Sequence, residues 1–164
     1  SAGLILRNNA SPMHSHEGHP KNSPGYFGQL YAACNSSALS THCLVMSRDI
    51  FEQVGKFDEH LSPPWVEADF CLDLSQKGYR HIFEPDVIAK FKAPYNSNID
   101  HDTDTDNEDR CLSIIKERWP KAMADDPLYS PHLLRQSGGY RLNNYPKIFH
   151  SLVQVRSGVT AEHC

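Results

Sequence analysis

Two carboxylates, Glu67 and Asp69, stand two positions apart in "PPWVEADFCLDLSQKGYR", directly behind Pro63 and Pro64 and at the mouth of an expected helix. A carboxylate at a helix start accepts backbone N–H bonds and lies at the positive end of the helix dipole. Both effects favour its ionised form. That form serves a simple helix cap, and it also serves a general base that must take a proton. A second cluster, "HSHEGH", offers His14, His16, Glu17 and His19. These residue types bind zinc, but the spacing matches no tight template and the segment reads as loop. No glycine-rich phosphate loop and no Ser/His/Asp arrangement is readable.

The elements that must position these groups alternate between strand and helix, which puts the chain in the α/β class. "AGLIL" reads as a strand with no start signal before it, as if the chain began inside a larger fold. Residues 8–28, rich in Asn, Ser, Pro, Gly and His, read as a long loop of the kind that is usually functional or mobile. "STHCLVMS" (40–47) has the apolar run of a buried strand, and "RDIFEQVG" the pattern of a short helix stopped by Gly55. A helix follows over 67–77, with Gly78 just past its end, Phe70, Cys71 and Leu74 on one face, and an Asp73–Lys77 pair. "RHIFEPDVIAKF" predicts two short strands around Pro85-Asp86. A further helix is expected over 107–119, capped by Asp106, ended by Pro120, with Cys111, Ile114, Ile115 and Trp119 inward.

A length of 164 residues allows one domain with a real core. The net charge of −4 and pI near 6.2 supply no basic field, which argues against a nucleic-acid partner. No apolar run approaches the ~20 residues of a membrane span, and the first residues do not form a secretory signal. Five scattered cysteines without a CxxC point to reduced thiols and a cytoplasmic setting, with peripheral placement at the inner face of a membrane compatible.

The stretch "CLVMSRDIFEQVGKFDEHLSPPWVEADFCLDLSQKGYRHIFEPDVIAKF" resembles the C-terminal half of inverting, polysaccharide-type family 2 glycosyltransferases of the GT-A fold. Those proteins carry a strand, then R-x-x-F-x-x-V-G-G-F-D-E, a variable loop, an acid-x-Asp-Phe-Cys-Leu helix, and Gly-Tyr-Arg before a further strand. "HSHEGHPKNSPGYFGQL" looks like the loop before the strand, and "RWPKAMADDPLYSPHL" like the Trp…Asp-Pro-Tyr-Tyr-x-Pro signature, so the likeness covers residues 2–134. It implies a partial, Rossmann-like GT-A fold with a mixed sheet and flanking helices. Residues 1–134 would form the acceptor-side part and 135–164 an irregular tail.

By the same resemblance Glu67 matches the catalytic base, usually an Asp, and Asp69 the second acid, an orienter or cap. Trp65 then offers a stacking face for an acceptor sugar, against the alternative of a packed loop–helix junction. Thr41-His42 replace a usual Gly-Ala pair and would narrow a substrate pocket. Phe91 and Lys92 stand where the family has a metal-binding His, and Lys90 or Lys92 is expected to neutralise a leaving diphosphate. The family's complete fold uses Mg or Mn through an Asp-x-Asp after an apolar strand. "DTDTD" (102–106) lacks that strand and also fails the calcium-loop template, because the required Gly falls on Thr105 or Asn107. No cofactor is therefore expected in this chain. The implied substrates are a nucleotide-diphosphate sugar and a glycan acceptor, with turnover by the isolated chain not expected. The rival readings are a non-catalytic module that binds glycan or a protein partner, and a small His-rich metal protein. An open sheet edge at "AGLIL" would also permit self-association.

Overall fold

The computed structural model describes residues 1–89, 105–136 and 140–143, which form a mixed α/β arrangement with two small antiparallel sheets and several helices. Strand β1 (Leu4–Arg7) falls on the expected apolar run and pairs with β2 (Ala10–His14), Ile5 opposite Met13. The strand β2 overturns part of the long loop expected over 8–28. "ASPMH" has little apolar alternation, and it becomes a strand because the buried β1 supplies a ladder. Strands β3 (Cys34–Ser36) and β4 (His81–Phe83) form the second sheet, Ser36 opposite His81. Both ladders are antiparallel, so the expected mixed sheet is not present among the described residues. One bridge, Leu4 to Ala38, links β1 to the chain just after β3.

The outer edge of β1 is closed. Leu4 N–H donates to the Ala38 carbonyl at 2.8 Å and Leu6 N–H to Asp126 Oδ2 at 2.7 Å. Those are the groups that an added strand would need, so the open edge expected at "AGLIL" is absent. The strand expected over 40–47 is also replaced. Thr41–Cys43 is a single 3-10 turn, and Val45 beyond it is 88% exposed. At the start of the run Ser40 Oγ accepts the His42 N–H and Glu67 takes the Thr41 N–H, which removes two ladder donors and favours the turn.

Helix α1 (Arg48–Val54) is capped by Ser47 Oγ and stops at Gly55, whose φ of 108° suits glycine alone. Helix α2 (Trp65–Gln76) starts two residues earlier than the sequence pattern suggests and ends before Gly78 at φ 87°. It is buried on nearly every side: Trp65, Glu67, Ala68, Phe70, Cys71, Leu72 and Leu74 are all covered. The expected Asp73–Lys77 pair forms at 2.7 Å. Helix α3 (Thr105–Arg118) places Cys111 and Ile115 inward, and Asp106 lies in its first turn rather than at its cap. Pro120 both follows that helix and opens α4 (Pro120–Ala124), whose Met123 completes a core with Leu6, Leu61, Trp65, Ala68, Leu72, Cys111 and Ile115. Further on, residues 140–143 return to pair with residues 132–134, through Leu134 N–H to the Arg141 carbonyl at 2.8 Å. Among the described residues Val87 to Ala89 form no strand, and the rest of the expected one, with Lys90, Phe91 and Lys92, lies outside them. No described helix is long and apolar enough to cross a membrane.

Candidate functional site

Glu67 lies in the first turn of α2 and is 1% exposed. Three donors converge on its Oε1: the Thr41 N–H at 2.7 Å, the Thr41 hydroxyl at 2.6 Å and the Ser40 hydroxyl at 3.1 Å. Among the described residues Oε2 has no hydrogen-bond partner. Thr41 itself is exposed, so the carboxylate lies just beneath a surface turn. Three convergent bonds on one oxygen fix the orientation of the carboxyl plane and leave the second oxygen to a further donor. Thr41 thus has a more specific part than bulk in a pocket, because it supplies two of the three bonds. His42 is exposed, its Nδ1 2.6 Å from Ser40 Oγ and its ring 6.2 Å from that of His14. Ser40 was not legible as a site residue. It lies 27 positions from Glu67, and nothing in a single sequence pairs them.

Asp69 points elsewhere. Two residues along an α-helix turn through about 200°, so adjacent acids in the letters leave on opposite sides. Asp69 Oδ1 accepts the Trp119 indole N–H at 2.7 Å and Oδ2 an Arg118 N–H at 3.0 Å. Arg118 also reaches Asp58 Oδ2 at 2.7 Å. The His60 backbone N–H and this guanidinium hold the Asp58 carboxyl below its ordinary value of 3.8. Asp69 therefore ties α2 to the end of α3 and does not share a site with Glu67.

Trp65 is corrected outright. Its ring is 1% exposed in the main core and its indole N–H donates to Glu108 of α3 at 2.9 Å. No face remains for a sugar, and the packed loop–helix junction is what forms. The histidines do not assemble either: among the described residues no group of His, Cys, Asp or Glu is placed to hold a metal ion. His16 is a buried structural residue at φ 55°, whose Nε2 accepts the Tyr26 N–H at 3.0 Å and whose ring stacks on Tyr140. Burial, and then the neighbouring His19, push its pKa down. A divalent ion of the kind the family resemblance implies thus finds no fitting donor set among the described residues. None of the described cysteines, Cys34, Cys43, Cys71 and Cys111, is in a disulfide, and burial pushes the Cys71 thiol up to about 11.

A second buried carboxylate, Asp126, escaped the sequence reading. It is 4% exposed and accepts from Leu6 N–H at 2.7 Å, Leu128 N–H at 2.9 Å, Tyr129 N–H at 3.0 Å and the Ser37 hydroxyl. The available signal was the Asp-Pro pair in "DDPLY", a turn type in which an Asp side chain accepts from backbone two and three residues on. Asp126 stands at the edge of a cavity of about 150 Å³ whose lining includes Tyr26, Tyr129 and Tyr140 but not Glu67, Ser40 or Thr41.

Comparison with known proteins gives two distant relatives. The chain is 27% identical over 147 residues to a Sinorhizobium fredii protein called uncharacterized protein y4gI, covering 87% of this chain and 16% of that protein. It is 25% identical over 122 residues to the O-antigen biosynthesis protein RfbC of Myxococcus xanthus, covering 74% of this chain and 9% of that protein. The chain therefore spans less than a fifth of the length of either of these curated relatives. No family model and no solved structure matches it.

Proposed function

We propose that this chain is the acceptor-side part of an inverting sugar transferase that builds a cell-surface glycan, with Glu67 as the general base. The observation that carries this reading is the Glu67 carboxylate itself, oriented through Oε1 by Ser40 and Thr41 with Oε2 uncommitted among the described residues. The distant similarity to a protein named for O-antigen biosynthesis supports the substrate class.

In the proposed step an acceptor hydroxyl gives its proton to Glu67 Oε2 as its oxygen bonds to the anomeric carbon of a nucleotide-diphosphate sugar. The bond from that carbon to the phosphate oxygen breaks on the opposite face, and the diphosphate leaves with the electron pair, so the configuration inverts. Asp69 acts as a positioning residue by fixing α2 against Trp119 and Arg118. Lys92 is the proposed cation for the leaving diphosphate. In this proposal the 164 residues supply the acceptor side alone, so turnover is expected only together with a nucleotide-binding part.

A second reading draws on the same contacts. A carboxylate whose Oε1 takes three donors also clips the 40–43 turn to α2, as a purely structural residue of a non-catalytic glycan- or protein-binding module would. Glu67→Gln separates the two, since the amide oxygen keeps those donors while the NH2 cannot take a proton. In the full natural protein a base predicts transfer falling by roughly 10²–10⁴-fold with folding unchanged. Undiminished glycan synthesis by a folded Glu67→Gln protein would refute the base.

A further inference from the structure

The hydroxyl of Ser40 stands between Glu67 and an exposed imidazole, and its hydrogen bonds can be counted. Ser40 Oγ donates to Glu67 Oε1 at 3.1 Å, and the same oxygen lies 2.6 Å from His42 Nδ1. A serine hydroxyl has a single proton and two lone pairs. With the proton spent on the carboxylate, the oxygen can only accept from His42, so Nδ1 must carry a hydrogen. The His42 backbone N–H, at 3.3 Å, takes the second lone pair. Ser40 thus has no position left over, and the bonds run one way, from His42 through Ser40 to Glu67.

That direction matters because a hydroxyl is a rotor. Without a donor behind it, the Ser40 O–H could turn to water at the surface turn, and Oε1 would keep only the two Thr41 bonds. With His42 donating, the lone-pair side of the oxygen is filled and the proton has only the carboxylate to meet. A donor behind a hydroxyl also polarises it and strengthens the bond it makes in front. Ser40 is half-buried and Glu67 is 1% exposed, so water does little to dilute this effect.

We infer that His42 is a positioning residue for Glu67, one that holds the Ser40 proton on Oε1 and thereby keeps Oε2 turned toward the incoming hydroxyl. The inference rests on the reading of Glu67 as a general base. It adds a residue that touches neither substrate nor the reacting atoms, and it gives His42 a part other than narrowing a pocket.

The test replaces His42 in the full natural protein. It follows incorporation of radiolabelled glucose into surface polysaccharide by cells of the natural host that carry only the variant. His42→Ala should slow incorporation by roughly fivefold, the equivalent of one hydrogen bond on the base. The melting temperature should stay unchanged, because His42 is exposed. Asn carries its side-chain NH2 on Cγ, where His carries Nδ1, so His42→Asn should restore most of the rate. Gln is closer to His in size but places its NH2 one carbon further out, so His42→Gln should not. A side chain that merely fills space would give the reverse order. In a Ser40→Ala background His42→Ala should add less than about twofold, because its route to Glu67 is already cut.

An undiminished rate in His42→Ala, restoration by Gln as good as by Asn, or the same loss without Ser40 would each overturn the inference. The base itself fails in a different way. Undiminished synthesis by Glu67→Gln removes the base and this inference together, whereas a loss in Glu67→Gln with none in His42→Ala removes this inference alone.

Discussion

Replacing Asp126 with Asn tests whether one buried carboxylate joins the C-terminal turn to the first strand. In the native protein Oδ2 serves the Leu6 N–H, and Oδ1 serves the Leu128 and Tyr129 N–H groups and the Ser37 hydroxyl. An Asn keeps the shape but turns one of the two acceptors into a donor. The less costly orientation leaves the oxygen with the three donors and sets the amide NH2 against the Leu6 N–H, which lies in buried surroundings. An unmade buried hydrogen bond costs about 1–3 kcal/mol, and the remaining bonds lose their charge assistance. The total should be about 2–4 kcal/mol, and Asp126→Ala should cost more because every donor is then abandoned. For a chain of this size each kcal/mol lowers Tm by roughly 3–4 °C, so Asp126→Asn should melt roughly 6–16 °C below the parent. Thermal and urea unfolding followed by circular dichroism gives the readout, with the exposed Asp109→Asn on α3 as the control expected to stay within about 0.5 kcal/mol. If Asp126→Asn is as stable as that control, the carboxylate is not a junction, and the account of β1's closed edge falls with it.

Trp65→Ala should destabilise by about 3–5 kcal/mol in urea unfolding, because it empties the centre of the main core. Trp65→Phe should cost only about 1–2 kcal/mol, for the lost volume and the Glu108 bond. A loss under about 1 kcal/mol for the Ala variant would return Trp65 to the list of ligand-facing residues. Stability should also fall on mild acidification. Burial lowers the pKa of both His16 and His81 below the ordinary 6.5, and His81 Nε2 is buried without a partner among the described residues. The unfolded chain then protonates first, so stability declines as pH drops below about 6.5 and through the lower folded values. Urea midpoints at pH 7.5 and 5.5 measure this, and His16→Gln with His81→Gln should flatten the slope. A midpoint that rises on acidification would refute the assignment.

Local signals were well placed in the sequence. The apolar run of β1, the Gly55 stop of α1, Gly78 after α2 and the inward face of α3 all follow from neighbours in the chain. Elements fixed by distant partners were not legible. Strand β2 exists because β1 needs a ladder, and the apolar 40–47 run opens as a turn, which Glu67 favours by taking the Thr41 N–H from 26 residues away. The site shows the same division. Glu67 was visible as an acid at a helix mouth, whereas Ser40, as its partner, and Asp126, as a hub, depend on contacts spanning up to 120 residues.

The letters "WVEADFCL" invite a reading of neighbouring residues as one site, and helix geometry opposes it. Positions three, four and seven apart share a face, while those two apart do not. Trp65, Ala68, Asp69 and Leu72 therefore fall together and meet α3, its following tryptophan and the main core. Glu67, Cys71 and Leu74 fall on another face, where Cys71 Sγ accepts the Leu39 N–H at 3.3 Å and Glu67 engages Ser40 and Thr41. One face anchors the helix and the other presents the carboxylate. The anchored face lets the presented one hold its geometry, because a first turn gripped through Trp65 and Asp69 cannot rotate Glu67 away from Ser40 and Thr41 without breaking contacts in the core.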